Sequence, residues 1–567
     1  MNPISRPTRY DFIALAFFAV LITLHPYYLR EEINLFELGI YLPGIDAVLQ
    51  GQVPYRDFFH LRGSMELYLP AFLMQMFGKN IATLSTYFYV GTALTLVIAV
   101  GLAKEIYRTR FVLYLAIPVL IARTFPRVAF TFWGGIRYGF GLLGILLAVF
   151  ALKQKRPAWF VLSGIAAVLA LLTSVEVGAC SIASIFMGFI FAWYFSIYTK
   201  KETLKFFLSY LQGLAIVLFP YGLYLLITRS LGPYFDSVYS VINIMTNVFP
   251  DASFSDHPNG ILQGLLAMNP CSPHFKHLTP VYCYLFFLVY LILRIRKRKV
   301  DQIDLSAVLI AVYGFMMYVL AFRKLGAMQF EMALQPEKLL LFFLLEKVFV
   351  YLMDVRERIR QVRPLQLRGD KYWPHWMRMG GIYFLVFSFF MSSVGYSLAR
   401  YNHRFFSLKY VRYLLTGKDV RELIPLSGEK TERLAMDRVK GMTVPAWQAE
   451  DIRGVTEYVH RHTELDEPVF MFPELGAYSF IVDRPFVGRF PMVTFSWFGG
   501  WHEELWDSLR ESGPRVAVIA KDPGPFFEKV YFQVPKNEEY YRLVTDYISQ
   551  NYDLVETTHS LNIYQRK

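Results

Sequence analysis

The sequence predicts a polytopic α-helical membrane protein of about eleven spans followed by a C-terminal α/β domain outside the membrane. Its 567 residues are 55% hydrophobic, 17% aromatic and only 18% charged, whereas soluble chains carry about a quarter charged residues. Apolar runs of roughly span length recur through the first two thirds of the chain and then stop. The basic residues sort themselves by loop. These three observations carry the fold class.

The apolar runs lie near 12–28, 81–102, 111–122, 138–152, 158–173, 178–197, 206–228, 279–295, 304–322, 337–353 and 380–397. A span needs about 20 apolar residues, so the shorter runs require help from their neighbouring loops. The first run has no small-residue cleavage site after it and continues into "PYYLREE", so it is expected to stay attached. Alternate loops hold "RPTR", "KEIYRTR", "KQKR", "KKETLK", "RIRKRK" and "RERIRQVRPLQLRGDK". That asymmetry predicts a cytoplasmic N-terminus and an extracytoplasmic C-terminal region, and the lack of an Asn-x-Ser/Thr sequon fits a bacterial inner (plasma) membrane. It also accounts for the net charge of +13 without a nucleic-acid partner. Arg123, Arg127, Arg137, Arg323 and Lys324 fall on the outer side against the trend, which makes them candidates for holding an anion. Cys180 and Cys283 fall in spans and Cys271 in an outer loop, a spacing with no disulfide framework or metal motif.

Two textures divide the chain into residues 1–398, the membrane region, and 399–567, a domain of dense mixed charge. In the latter "AEDIRGVTEYVHRH" and "NEEYYRLVTDYISQNY" have helical spacing, while "EPVFMFP", "RVAVIAKD" and "LNIYQRK" read as strands. Trp447, Trp497, Trp501 and Trp506 are expected to pack this domain, with a sugar-facing surface as the alternative. The membrane region has long outer loops at 29–80 and 229–278, and loops of that length tend to be functional.

The first of these loops holds "NLFELGIYLPGIDAVLQGQVPYRDFFHLRG". Pro43 suits the first turn of a helix, Ile45, Val48 and Leu49 share one side of it, and Gly51 suits its end. A short amphipathic helix along the outer membrane surface follows, with Glu37 before it and Asp46 on its polar side. "VPYRDFFH" then turns the chain and brings Tyr55, Arg56, Asp57 and His60 toward the same interface. Glu31 and Glu32 are expected to mark the water boundary.

The segment "FELGIYLPGIDAVLQGQVPYRDFFHLRGSMELYLPAFLMQMFG" (36–78) resembles the first outer loop of the GT-C membrane glycosyltransferases, in particular the bacterial relatives of protein O-mannosyltransferases and lipid A aminoarabinose transferases. The resemblance extends more loosely over the whole chain. It implies a GT-C-like fold and an inverting transfer of a sugar from a polyprenyl-phosphate donor, among membrane lipids, to a glycan, lipid or protein acceptor on the outer face. The family usually opens this loop with an acidic pair, where this chain has Phe36-Glu37.

Such chemistry needs a base for the acceptor hydroxyl and positive charge for the departing phosphate. Glu37 is the expected base, with Asp57 or Asp46 as supporting acids. Tyr55, Arg56 and His60 are candidate substrate contacts, and Arg62, Arg137, Arg323 and Lys324 are candidate phosphate ligands. Glu176 and Glu331 are acids in or near spans, each with either a functional or a turn-exposed reading. Asp256 and His257 make an incomplete metal pair, so a divalent ion, Mg or Mn, is an open expectation without assigned ligands. Two other functions remain open: a non-catalytic relative that binds lipid-linked saccharide, which Phe36 keeps alive, and a transporter or flippase, which the absence of an internal repeat disfavours.

Topology is tested by reporter fusions. Fusions after Lys155 and Lys299 should report the cytoplasm and a C-terminal fusion the outside; a cytoplasmic C-terminus would remove the glycosyltransferase reading.

Overall fold

The computed structural model describes residues 5–23, 29–124, 135–247, 275–321, 335–361 and 429–567. The membrane region is helical: α1 (Arg9–Thr23), then α2 (Leu35–Gly39), α3 (Leu42–Leu49) and α4 (Met65–Phe77) in the first long loop. There follow α5 (Ile81–Ile106), α6 (Arg110–Thr124), α7 (Gly135–Gln154), α8 (Pro157–Thr173), α9 (Val175–Tyr194), α10 (Lys200–Ile227), α11 (Leu231–Asn247), α12 (Phe275–Arg296), α13 (Gln302–Ala321) and α14 (Gln335–Gln361). Among the described residues, five helices are long and apolar enough to cross a membrane: Ile81–Ile106, Ile136–Gln154, Val175–Tyr194, Lys200–Ile227 and Gln302–Leu320. Arg110–Ile121 and Pro157–Thr173 are shorter apolar helices. The candidate span at 380–397 and the boundary near 398 lie outside the described residues. Large apolar side chains such as Phe17, Phe219, Ile227 and Phe286 are left exposed on these helices, as lipid contact requires. The chain is an integral membrane protein.

One end of the bundle is laced with ion pairs drawn from the basic loops. Glu346 of α14 accepts from the backbone N–H groups of Arg108 at 2.8 Å and Thr109 at 2.7 Å, satisfying donors at the start of α6. At the same end Arg294 meets Asp304 at 2.8 Å, and Lys153 meets Glu105 at 2.9 Å. The opposite end carries the first long loop and the C-terminal domain.

That domain has a four-stranded sheet in the order β3-β4-β6-β5 and a two-stranded ribbon of β1 (Thr431–Arg433) with β2 (Thr443–Pro445). β3 (Phe470–Phe472) runs parallel to β4 (Val516–Ala520), and β6 (Leu561–Arg566) is antiparallel to both β4 and β5 (Tyr552–Thr557). The helices α15 (Ala446–His462), α16 (Gly476–Ile481), α17 (Phe495–Phe498), α18 (His502–Ser512), α19 (Gly524–Tyr531) and α20 (Pro535–Asn551) connect and cover it. The three strands and two helices expected from the sequence are present. β5 was not expected: it leaves α20 directly, and past Tyr552 its residues are exposed, so no buried alternation marks it. Trp497 is fully buried, Trp501 stands 5.3 Å from the Phe59 ring, and Trp506 stands 5.2 Å from Tyr547, so these indoles serve packing.

The first long loop and the C-terminal domain share one hydrophobic core. Phe58, Phe59, Leu67 and Met74 belong to the same buried cluster as Val444, Ile452, Phe470 and Trp497. Polar contacts fasten the joint. Gln448 brackets the Ile33 backbone, accepting its N–H at 2.7 Å and donating to its carbonyl at 2.8 Å. The Phe59 N–H donates to the Arg489 carbonyl at 2.7 Å, and Arg438 reaches Asp46 at 3.0 Å. Helix α3 therefore differs from the expected surface helix, because Leu42 to Ala47 are all buried. A domain covers the side that the sequence assigned to water, and Asp46 survives there through Arg438. Glu31, expected at the water boundary, is buried as well, at 7% exposure.

At one point in this joint glycine meets glycine. A Cβ on Gly39 would stand 3.0 Å from the Ala477 nitrogen and 3.3 Å from the Gly476 Cα, and one on Gly476 would stand 2.8 Å from the Pro491 carbonyl oxygen. Gly39→Val and Gly476→Val should therefore each destabilise by about 1–3 kcal/mol through overpacking. A Gly222→Ala control, with nothing within 4 Å of the new methyl, should not. Thermal unfolding in detergent checks this; three equal midpoints would refute the tight joint.

Candidate active site

The residues that converge at the joint come from α2, the turn that follows α3, α4, α7 and the stretch just before α16. Asn34 caps α2 by accepting the Glu37 N–H at 3.0 Å, which turns Glu37 inward to 4% exposure. Arg62 follows the turn at 53–60. Tyr55, in the left-handed region at φ 71, fixes that turn by donating its N–H to the Phe58 carbonyl at 2.8 Å and its hydroxyl to the Arg62 carbonyl at 2.6 Å. Gly63 then lies flat against the α8–α9 connection, where a Cβ would fall 1.9 Å from the Leu172 carbonyl oxygen. Only glycine admits that contact, and it sets Arg62 beside the helix ends.

The Arg62 guanidinium meets Glu66 at 3.4 Å and lies over the Tyr41 ring at 5.1 Å. Burial and the neighbouring Arg137 draw its pKa down, while Glu66 and Glu37 oppose them. Arg137, in the first turn of α7, stacks on Tyr138 at 4.8 Å and is within electrostatic reach of Glu66 and Glu176. Burial pushes the Glu66 carboxyl up, with Arg62 and Arg137 opposing. The result is a buried set of two arginines and several carboxylates at one end of the bundle, roofed by the C-terminal domain.

The roof contributes an acid of its own. Glu474 precedes α16, and its pKa is pushed up to about 7, chiefly by burial, with the Tyr531 hydroxyl opposing and the Glu37 charge adding to the rise. Tyr531 is held neutral by burial. Glu37 thus stands between arginine on the membrane side and a second carboxyl on the domain side. A carboxyl that is partly protonated near neutral pH beside another carboxylate is suited to passing or holding a proton.

The remaining sequence candidates separate from this set. Asp57 grips Arg56 at 2.7 and 2.8 Å and accepts the Val53 N–H at 2.7 Å, so the Arg56 side chain holds its carboxyl below the usual range and both residues serve the turn. Arg56 also donates to the Thr228 carbonyl at 3.3 Å. Asp46 faces Arg438 and accepts from Gln50 at 3.2 Å. Tyr55 is 2% exposed and committed to the Arg62 carbonyl. His60 is 1% exposed, and burial lowers its pKa to about 3, so it stands there as a neutral ring. Arg323, Lys324, Glu331, Asp256 and His257 lie outside the described residues. Sequence reasoning missed Glu66 and Glu474. Glu66 was findable, as an acid four residues after Arg62 at the head of an apolar helix. Glu474 carries no local signal.

No protein-family model and no curated protein matches the chain. Solved structures do resemble it. The chain is similar in structure to ArnT. The crystal structure of ArnT from Cupriavidus metallidurans bound to undecaprenyl phosphate gives a TM-score of 0.49 at 12% identity, over 98% of this chain and 97% of that one. The apo ArnT structure from the same organism gives 0.45 at 12% identity, over 98% and 96%. At this level the likeness describes the course of the chain and says nothing of its chemistry. Among the described residues no group of three or more His, Cys, Asp or Glu side chains is arranged to hold a metal ion.

The raised pKa of Glu474 has a testable sign. Its folded value of about 7 exceeds the ordinary 4.5, so the folded state prefers the protonated form. The stability this gives is complete below the unfolded value and is lost as pH rises through the folded one. Glu474→Gln should therefore unfold at a higher temperature than wild type at pH 8, and the difference should shrink toward zero as pH falls below 5. A pH-independent difference would show that Glu474 is not desolvated at the joint.

Proposed function

We propose that the protein is an inverting membrane glycosyltransferase that moves a sugar from a polyprenyl-phosphate donor to an acceptor hydroxyl at the outer face of an inner (plasma) membrane. The observation that carries this reading is the buried set of Glu37, Arg62 and Arg137 where the bundle meets the C-terminal domain. Arginines held at that depth match phosphate oxygens in a bidentate manner. A carboxylate beside them matches the other need of the reaction.

In this mechanism Glu37 takes the proton of the acceptor hydroxyl as its oxygen attacks the anomeric carbon. The new carbon–oxygen bond forms on the face opposite the phosphate, the old bond breaks, and the phosphate leaves with the bonding electron pair. Arg62 and Arg137 stabilise the charge that develops on it. Before the donor arrives Glu66 stands near both arginines; its raised pKa lets it take up a proton when the phosphate replaces it. Glu474 is placed to accept the proton that Glu37 gains. Arg323 and Lys324 remain proposed phosphate ligands on the sequence argument.

Phe36 supports one second reading, a non-catalytic relative that binds lipid-linked saccharide. It stands where the family's first acid is usual, and it packs into the shared core.

Transfer of labelled sugar from a polyprenyl-phosphate donor, measured in membranes, separates the two. Glu37→Gln should lower turnover by about 10²–10⁴-fold with donor binding intact. Arg62→Ala and Arg137→Ala should each weaken donor binding by about 1–3 kcal/mol. Equal turnover of wild type and Glu37→Gln would show that Glu37 is not the base. Donor binding without any transfer would favour the second reading.

A further inference from the structure

A cavity of about 340 Å³ lies between α3 and the C-terminal domain, and Glu37, Arg62, Glu66, Arg137 and Glu474 do not line it. Its size sits at the lower end of small-molecule sites, about 300–1,000 Å³. One wall presents Asp46, Gln50, Gln52 and Asp57 from the first long loop, and the other presents Ser479, Phe480, Arg484 and Phe486 from the domain.

The charged groups in this lining are already matched by protein. Asp46 is held by Arg438 at 3.0 Å, Asp57 by Arg56 at 2.7 Å, and Arg484 donates to the Thr463 hydroxyl at 2.9 Å and the Asp483 carbonyl at 3.0 Å. The two carboxylates of the cavity therefore call for no cation, and Arg484 is held by neutral acceptors. The cavity offers carboxylate lone pairs and two carboxamides, each with donors and acceptors, beside the aromatic ring of Phe486; the Phe480 ring is 1% exposed and already lies under the Arg438 guanidinium at 4.7 Å. Ser479 is 1% exposed and contributes to the cavity wall, and its hydroxyl oxygen, closed to solvent, has no hydrogen-bond partner. Buried hydroxyls are rarely left so. Paired acceptors and amides read adjacent hydroxyls, and apolar rings cover the C–H face of a sugar.

We propose that this cavity binds a neutral pyranose, one residue of a hydroxyl-rich glycan. Its use in holding the acceptor rests on the glycosyltransferase reading; the binding itself does not. The site explains why a polar hollow persists inside a joint that is otherwise closed by aromatic packing.

The test is saturation-transfer NMR on the full-length protein in detergent, with glucose, galactose, mannose and N-acetylglucosamine as separate probes and glucuronate as the charged comparison. At least one neutral sugar should receive saturation on its ring C–H protons. Gln52→Trp, at an exposed position on the rim, should weaken its binding by about tenfold or more, and Ser479→Ala should weaken it several-fold without a change in fold. Glucuronate should bind more weakly, because its carboxylate brings only lone pairs to a wall where Asp46 and Asp57 already present lone pairs. Saturation of no sugar, unchanged binding in both variants, or glucuronate binding as tight as the neutral sugar would overturn the proposal. Glu37→Gln should keep the binding and lose transfer, so a wild type that binds sugar but transfers none would sink the enzymatic reading alone.

Discussion

The contact between Gly39 and Gly476 is the constraint on which the half of the molecule facing the C-terminal domain depends. Helix α2 is only five residues long and has no stability of its own. It is held because two backbones without side chains meet, with Asn34 capping one end and Gln448 clamping the chain just before it. Every side chain that follows inherits its direction from that meeting: Glu37 points into the joint because α2 cannot roll away from α16. The same closeness carries Glu474, two residues before Gly476, to the other side of Glu37. A membrane bundle alone would leave these acids in water, where Glu474 would not be perturbed.

Electrostatics then decides which acids do what. Taking a charge out of water costs several kcal/mol unless a partner and hydrogen bonds compensate. Asp46 solves this through Arg438, while Asp57, only part-buried, is held by Arg56, which makes its carboxyl a weak base. Arg62 and Arg137 are compensated differently. Both feel the charge of Glu66, which stands 3.4 Å from Arg62, and they lean on the faces of Tyr41 and Tyr138, an arrangement that spreads compensation over several groups. An incoming phosphate can enter a shared arrangement by displacing one carboxylate. It cannot enter the Arg56–Asp57 fork without breaking the turn.

The sequence made the bundle legible because apolar length and the sorting of basic loops are local signals. Helix α3 was legible in extent, from Pro43 to its stop at Gly51, but not in environment. Its two sides look polar and apolar on the helix alone, and the polar side is buried only because a domain encoded far along the chain lies on it. The same physics explains the missed residues. Glu474 sits in "FPELGAYSF" with nothing nearby to distinguish it from a surface acid. Its perturbation comes wholly from tertiary burial and from Glu37. Of the loop residues singled out by spacing, Glu37 and Arg62 join the buried set, while Asp46, Asp57 and Arg56 serve the joint and the turn.

The density of polar and aromatic groups in residues 34–63 then has one physical cause. A loop that must bind a membrane bundle on one side and a soluble domain on the other needs aromatic rings for the shared core, and Phe58 and Phe59 supply them by packing against Phe486, Phe490 and Trp501. It needs ion pairs wherever a polar group is trapped, and Asp46 and Asp57 supply those. Glu37 and Arg62 go beyond these needs: Arg62 pairs with Glu66 and lies over Tyr41, and both it and Glu37 are taken out of water among other charges. Buried charge is costly to the fold, and ionisable groups crowded together at depth cluster where a protein meets a ligand or a reacting group. The residues that packing does not require are the best guide to the chemistry of this loop.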